Sequence, residues 1–176
     1  MAFVELNCTS NFTFLTGGSH AEEYAQQAFA FGMKALAISD SNSVAGIARA
    51  HIALREIERQ QKEVGATCII PRLLAATQLE TQDGITLIAL PQNRAAWGRL
   101  CRLLTLGKSR VEKGSCLLHI DDVLKFCEGM ELILQATSAL SQRGAPTWVQ
   151  QARRLTRRFG TAVHLQIAPR YDGRDA

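Results

Sequence analysis

The sequence predicts an α/β domain with a mainly parallel sheet, either open or closed into a barrel. Short apolar segments alternate with segments of helical periodicity in the order βαβαβ, a hairpin, then αβαβ, and this alternation is typical of parallel sheets. Hydrophobic residues make up 47% of the 176 residues, which is enough to bury a core. The turn signal Gln82-Asp83-Gly84 lies between two strand-like segments and predicts the hairpin.

The first part of the chain predicts three strands and two helices. Ser19 and Glu22 have the spacing of a capping box and predict the start of the first helix. Tyr24, Ala28 and Phe31 then fall on one helical face. The expected ranges are 3–8 (strand), 20–31 (helix), 34–39 (strand), 43–63 (helix) and 68–70 (strand).

The second part of the chain predicts the hairpin, three further helices and two further strands. A basic loop is expected between the first helix of this part and the next. The expected ranges are 73–79 and 85–90 (strands), 93–105 (helix), 107–115 (loop), 121–126 (helix), 131–135 (strand), 146–158 (helix) and 162–167 (strand).

Charge, cysteines and hydropathy exclude several classes of protein. The net charge of +4 is mild and is compatible with a nucleic-acid partner without requiring one. An odd number of widely spaced cysteines, without a CxxC pair, predicts reduced thiols rather than a disulfide framework or a zinc knuckle. A basic, apolar leader and a long apolar span are both missing, so we expect a soluble cytoplasmic protein without a membrane partner. The five cysteines are Cys8, Cys68, Cys101, Cys116 and Cys127.

Polar residues at the ends of the predicted strands are the candidates for a site, because ligands of parallel α/β folds bind at the carboxyl ends of strands. Asp40 follows the second strand and could bind a metal or act as a base. It could equally form a turn or cap the next helix. Asn7 and Thr9 share a face at the end of the first strand, and Pro71-Arg72-Leu73 follows the third.

The four histidines, His20, His51, His119 and His164, are scattered in the sequence and form no HxH or HExxH motif. His51 is expected on the apolar face of the second helix, and convergence of the histidines in space stays open. The GxxxxGK[ST], GxGxxG and GxSxG motifs are also missing. Their absence excludes a P-loop enzyme, a standard dinucleotide fold and a typical serine hydrolase.

Basic residues cluster in two places and could contact nucleic acid, another domain or solvent. One cluster contains Glu112 as its only acid, and the other lies on the last predicted helix. The first cluster consists of Arg94, Arg99, Arg102, Lys108, Arg110 and Lys113. The second consists of Arg153, Arg154, Arg157 and Arg158.

Three segments resemble a known family. Residues 3–17 resemble the opening motif of PHP (polymerase and histidinol phosphatase) domains, and residues 35–46 resemble the second motif. Residues 93–108, followed by Glu112-Lys113-Gly114, resemble the error-prone, damage-inducible bacterial relatives of the DNA polymerase III alpha subunit. Ser19-His20 and Arg49-Ala50-His51 add to this resemblance.

The resemblance implies a distorted βα barrel of the TIM-like type, incomplete in a chain of this length. It implies one PHP-like domain over residues 1–176, the N-terminal part of a longer polymerase whose core lies outside this chain. The implied partners are the rest of that polymerase, DNA through it, and accessory proteins of translesion synthesis. The implied process is replication and repair of damaged DNA, and magnesium is expected for the parent polymerase.

The metal-ligand positions implied by the family are largely substituted here. The HxH of the first motif corresponds to Asn7 and Thr9, the Asp-His of the second to Asp40-Ser41, and the Gly-x-Glu of the third to Pro71-Arg72-Leu73. One carboxylate cannot hold a site of two or three metals. We therefore expect no catalytic residue, metal or cofactor in this chain.

Three hypotheses follow from the sequence. In the first, the chain is a structural and interaction module that has lost its metal site. In the second, it is an active metal-dependent phosphoesterase or proofreading nuclease, in which histidines converge on Asp40. In the third, it binds DNA through the basic residues between 94 and 113.

Overall fold

A computed structural model describes residues 3–136 and 145–166 of the chain, without the side chains of 145 and 146. The chain divides into two compact units, Met1–Gln78 and Leu79–Ala176, with the boundary inside the fourth strand. Among the described helices, none is both long and apolar enough to cross a membrane. The elements are β1 (Glu5–Cys8), α1 (Ala21–Ala30), β2 (Ala35–Ile38), α2 (Ala45–Glu63), β3 (Arg72–Ala75), β4 (Thr77–Glu80), β5 (Thr86–Pro91), α3 (Arg94–Ser109), α4 (Ile120–Phe126), β6 (Met130–Gln135), α5 (Ala145–Phe159), a 3₁₀ turn (Gly160–Ala162) and β7 (Val163–Gln166).

The first unit contains a parallel three-stranded sheet in the order β1-β2-β3. The central strand β2 is an apolar segment whose four residues are all buried, as expected for a strand covered on both faces. Helices α1 and α2 pack against each other, and the buried side of α1 consists of Ala21, Ala25 and Ala28. Alanines allow this close approach of the two helices because their side chains are small.

The second unit contains the sheet order β4-β5-β6-β7. Strand β6 alternates buried and half-buried residues, so that one of its faces lies in the core. Strand β5 pairs antiparallel with β6, and β6 pairs parallel with β7. Helix α3 contributes Leu100, Leu103 and Leu104 to the core, and α4 contributes Ile120 and Val123.

The predicted hairpin turn between β4 and β5 is confirmed. Gly84 has a φ of +78°, which favours glycine because it has no Cβ. The Thr81 amide donates to the Ile85 carbonyl at 3.0 Å and closes the turn. Asp83 extends it, because its Oδ2 accepts a 2.7 Å hydrogen bond from the Ile120 amide at the start of α4.

The prediction of the third strand at 68–70 was wrong. That segment has no regular structure, and Ile69 is 67% exposed. Pairing with β2 begins one residue after Pro71, where the Arg72 amide donates to the Lys34 carbonyl at 2.9 Å. Proline has no N–H to donate, so the ladder starts at Arg72.

Several predicted element boundaries and faces were also wrong. Helix α1 begins after His20, whose amide donates to Glu23 Oε2 at 2.7 Å, and its predicted face residue Phe31 is 68% exposed. Helix α2 has Val44 rather than Ser43 at its N-cap position. Helix α3 continues beyond its predicted end to Ser109. Gly107 lies inside this helix and is closely packed, since a Cβ there would lie 2.6 Å from Cys116 Sγ.

The antiparallel pairing of β5 with β6 departs from the predicted mainly parallel arrangement. Two helices, α3 and α4, connect these strands, and the chain returns in the opposite direction. A single crossover helix would instead have favoured a parallel pair. The predicted strand residue 167 lies outside the described residues.

Candidate functional site

The parallel pairing of β1 with β2 places the ends of the two strands side by side. Cys8 is in register with Ile38, and the Ser39 amide donates to the Cys8 carbonyl at 2.8 Å. The residues that follow each strand are therefore neighbours, and Ser10 lies next to Asp40. This is the edge of the sheet at which the sequence predicts a site.

Asp40 is 1% exposed, and hydrogen-bond donors surround its carboxylate. The Ser10 amide donates to Oδ1 at 2.7 Å, and the Ser10 hydroxyl lies 2.8 Å from Oδ1 and 2.9 Å from Oδ2. The Thr13 hydroxyl donates to Oδ1 at 3.3 Å. We call Asp40, Ser10 and Thr13 the carboxylate clamp. Hydrogen bonds to a charged acceptor are stronger than those between neutral groups, and they offset the cost of burying this carboxylate.

The backbone around Asp40 is fixed as firmly as its side chain. The Asp40 carbonyl accepts from the Thr77 hydroxyl at 2.8 Å and from the Gln78 amide at 3.1 Å. The Ser41 amide donates to the Thr13 hydroxyl at 2.9 Å. The clamp therefore connects the loop after β1, the end of β2 and the start of β4 within the first unit.

The first turn of α2 packs directly against the clamp. A Cβ on Gly46 would lie 2.4 Å from Asp40 Oδ2 and 2.9 Å from the Ser10 hydroxyl. This helix has no acidic residue in its first turn, and Val44 makes no side-chain capping bond. A carboxylate near a helix N-terminus is stabilised by the helix dipole, so Asp40 supplies the negative charge that α2 itself lacks.

The sequence left two alternatives for Asp40. It could be a metal ligand or base, or it could form a turn or a helix cap. The side chain of Asp40 bonds back to Ser10 and Thr13 rather than forward to α2, while its carbonyl accepts from the Ser43 amide at 3.4 Å in a backbone turn. Sequence reasoning missed Ser10 and Thr13. Their only local signal is that they are hydroxyl residues just after β1, and their contacts to Asp40 span 30 and 27 residues.

The other predicted ligand positions make structural contacts or lie elsewhere. Asn7 is half-buried, and its Oδ1 accepts from the Ser39 hydroxyl at 2.9 Å. The Thr9 carbonyl accepts from the Tyr24 hydroxyl at 3.1 Å. The placement of Leu73 at a strand end was wrong, because Leu73 pairs with Leu36 near the beginning of β3.

All four histidines are exposed. His20 Nδ1 lies 2.9 Å from the Asn11 side-chain nitrogen, and His164 Nε2 lies 2.7 Å from Glu131 Oε2. His119 Nδ1 lies 3.7 Å from Asp83 Oδ2. The prediction that His51 belongs to an apolar face was wrong, because the buried side of α2 is formed by other residues.

The side chains around Asp40 do not fit a metal centre. In the parts of the chain that the structure describes, no group of three or more His, Cys, Asp or Glu side chains is placed to hold an ion. Asp40 Oδ1 accepts from the Ser10 amide and shares the single Ser10 hydroxyl proton with Oδ2, so a metal would have to displace this hydroxyl to reach the carboxylate. Burial also raises the pKa of the nearby Cys8 thiol to about 12, which keeps it protonated.

Two of the six cations in the first basic cluster are engaged within the second unit. Arg99 Nε donates to the Glu128 carbonyl at 3.0 Å. Arg110 forms a two-pronged ion pair with Asp122, with Nη2 2.9 Å from Oδ1, and this guanidinium lowers the pKa of the Asp122 carboxyl. The four other members are exposed: Arg94, Arg102, Lys108 and Lys113.

The second basic cluster, on α5, also contains both acid-paired and exposed arginines. Arg154 pairs with Asp121, and Arg158 Nη2 lies 3.6 Å from Glu128 Oε2. Arg153 and Arg157 are exposed and line a surface hollow of about 500 Å³. The hollow is also lined by Trp148, Val149, Ala152 and Thr156.

The family model of the PHP domain matches residues 5–146. This match covers both sheets through β6 and includes the carboxylate clamp. The chain belongs to the PHP domain family. A crystal structure from Bifidobacterium adolescentis, assigned as a metal-dependent phosphoesterase, has a similar fold with a TM-score of 0.53 and 12% identity, over 80% of this chain and 68% of that one.

These two findings confirm the predicted fold class, an α/β domain of the PHP type related to TIM-like βα barrels. The described strands form two open sheets. That residues 1–176 form one PHP-like domain stays a prediction, because the family match ends at residue 146 and the chain divides into two compact units.

Curated relatives of this PHP domain are bacterial error-prone DNA polymerases, which confirms the predicted resemblance. The polymerase of Ruegeria pomeroyi is 43% identical over 99% of this chain, and that of Rhodopseudomonas palustris is 37% identical over 99%. Error-prone DNA polymerase 2 of Agrobacterium fabrum is 38% identical over 97%. The chain spans 18%, 15% and 14% of the length of these relatives, respectively.

Proposed function

We propose that this PHP domain acts as a structural and interaction module of an error-prone DNA polymerase that copies damaged DNA. Its metal site has been replaced by the carboxylate clamp, and the domain itself carries no catalytic residue or cofactor. The observation that carries this proposal is that three donors, from Ser10 and Thr13, engage the buried Asp40 carboxylate.

The clamp supports a structural role because it performs the same electrostatic task as an ion. A buried carboxylate needs compensation, and either a cation or several hydrogen-bond donors can supply it. Here the donors come from the loop after β1, which they tie to β2. A metal entering this site would have to displace the Ser10 hydroxyl, and the neighbouring Asn7 would offer it only a neutral oxygen.

The relatives supply the partner for the interaction role. They are named as complete error-prone polymerases, and the chain corresponds to less than a fifth of each. In this proposal the domain packs on the polymerase polypeptide. That polypeptide binds DNA, uses magnesium for synthesis and meets the accessory proteins of translesion synthesis in the cytoplasm.

The test is elemental analysis of the purified chain after incubation with zinc and manganese and extensive dialysis. We expect well under one ion per chain, both for the unmodified protein and for Asp40→Asn, because Asp40 is not a ligand. Release of nucleotides from single-stranded DNA in the presence of manganese is measured in parallel, and no release above background is expected.

A phosphoesterase or nuclease would give the opposite results. It would retain two or three ions per chain, lose them in Asp40→Asn, and release nucleotides in a manganese-dependent reaction that this substitution abolishes. Ions that are retained equally by both proteins would lie away from the clamp, and they would count against the metal-free proposal without involving Asp40.

A further inference from the structure

Helix α5 carries four arginines, and acidic neighbours neutralise only one side of it. Arg154 pairs with Asp121, and Arg158 lies close to Glu128. Arg153 and Arg157, one turn apart, have no acidic partner among the described residues. The helix contains no acidic residue, so intrahelix pairs cannot neutralise these two charges.

The hollow beside Arg153 and Arg157 presents hydrogen-bond donors and little else that is polar. Trp148 is 8% exposed, and its buried indole N–H has no partner within the described parts of the chain. The Thr156 hydroxyl is already used, because it donates to the Ala152 carbonyl at 3.0 Å. A guanidinium is a donor only, so a ligand of Arg153 and Arg157 must be rich in acceptors and negatively charged.

We propose that this surface binds the phosphate backbone of DNA, and we call it the α5 arginine face, consisting of Trp148, Arg153, Thr156 and Arg157. Arginine side chains donate to phosphate oxygens, often through two hydrogen bonds at once. The apolar side chains of Val149 and Ala152 line the same hollow and provide a surface for the sugar.

The distribution of charge in the chain favours this location. The first unit has six Lys and Arg against seven Asp and Glu, a net charge of −1, whereas the second has fourteen against nine, a net charge of +5. The net positive charge of the second unit attracts a polyanion over a longer range than a single ion pair does. The choice of DNA over an acidic protein segment rests on the proposed function, because the relatives are DNA polymerases.

The test compares two double variants that remove the same charge from the same helix. Arg153→Gln/Arg157→Gln removes the unpaired arginines, and Arg154→Gln/Arg158→Gln removes the acid-paired ones. Binding of a fluorescein-labelled single-stranded 20-mer and of its duplex is measured by anisotropy between 50 and 200 mM salt, in EDTA. Far-UV circular dichroism and melting curves verify that both variants are folded.

We expect the first variant to lower the slope of log K against log salt by about 1.4 for the single strand and about 1.8 for the duplex, as expected for two lost phosphate contacts. Over this range the unmodified protein would lose affinity for the single strand about sevenfold more than the variant does. The second variant should keep the original slope.

Three results would overturn the proposal. They are no DNA binding by the unmodified chain, equal slope changes in the two arginine variants, and binding of a polyglutamate peptide at concentrations where DNA does not bind. The last result would identify an acidic protein segment as the ligand. All these measurements are made without metal, so their failure would leave the carboxylate clamp unaffected.

Discussion

The two compact units of this chain handle charge differently. In the first, the buried Asp40 is compensated by Ser10 and Thr13, and the exposed charges of α2 pair along the helix, as in Arg55 with Glu58 at 2.8 Å. In the second, the two long helices α3 and α5 contain no acid, and several of their exposed cations have no acidic partner in the described part of the chain. In the first unit the described charges mainly stabilise the fold, whereas the second unit combines structural ion pairs such as Arg110–Asp122 with exposed cations that the proposed DNA contact would use.

The largest effect is expected when the clamp loses its acceptor. Asp40→Ala leaves the Ser10 amide, the Ser10 hydroxyl and the Thr13 hydroxyl without a partner in a buried site, so the free energy of unfolding should fall by about 3 kcal/mol. Urea denaturation measures it. Glu22→Gln, which affects only an exposed pair with Arg49, should change it by no more than about 0.5 kcal/mol. An Asp40→Ala protein as stable as the unmodified one would refute the clamp.

A smaller loss is expected from crowding the clamp. Gly46→Ala places a Cβ 2.4 Å from Asp40 Oδ2, and overpacking of this kind costs about 1–3 kcal/mol. Gly98→Ala on α3 is the matched control, because nothing lies within 4 Å of its Cβ. It should stabilise the chain by about 0.5–1 kcal/mol through helix propensity. Opposite signs for the two variants are the expected result, and a stabilising Gly46→Ala would mean that α2 does not press on Asp40.

The Arg110–Asp122 pair predicts a dependence of stability on pH. The guanidinium lowers the folded-state pKa of Asp122 below its ordinary value, so its contribution is complete above that ordinary value and is lost as the pH falls through the folded-state pKa. Asp122→Asn should therefore lose less stability between pH 5.5 and pH 3 than the unmodified protein does. Urea midpoints at the two pH values measure the difference, and equal losses in both proteins would contradict the pairing.

The smallest effect is expected from the cations of α2. Arg55 and Lys62 both pair with Glu58, at 2.8 and 2.7 Å. Arg55→Gln/Lys62→Gln removes as much charge as the α5 variant, yet it should leave the salt slope of DNA binding unchanged, because neither cation is free. If the salt slope fell as far as in Arg153→Gln/Arg157→Gln, the two units would not differ in DNA binding. Affinity would then depend on the total charge of the chain rather than on the α5 arginine face.

Local pattern was sufficient to predict much of the fold. Strands β1 and β2, the turn at Gly84 and the existence of both long helices of the second unit follow from periodicity and turn chemistry. The apolar segment Cys68-Ile69-Ile70 was mistaken for the third strand, and the predicted strand 73–79 is in fact two strands, β3 and β4. Only the pairing of β3 with β2 shows that the ladder begins after Pro71.

The candidate site was predictable only in its location. Asp40 follows from its place after a buried strand, but its partners Ser10 and Thr13 depend on the parallel register of β1 with β2. The arginines show the same limit. The sequence does not distinguish Arg154, which pairs with Asp121, from Arg153, which has no acidic partner among the described residues. The difference depends on the position of Asp121 in the folded chain.

The most direct test of the clamp is a double-mutant cycle of Ser10→Ala and Asp40→Asn, measured by urea denaturation at neutral pH. If the Ser10 hydroxyl compensates the Asp40 carboxylate, the two losses will not add, and a coupling energy of about 1–2 kcal/mol is expected for contacting groups in one network. Losses that add to within about 0.3 kcal/mol would contradict the account, because Asp40 would then be stabilised by something other than Ser10.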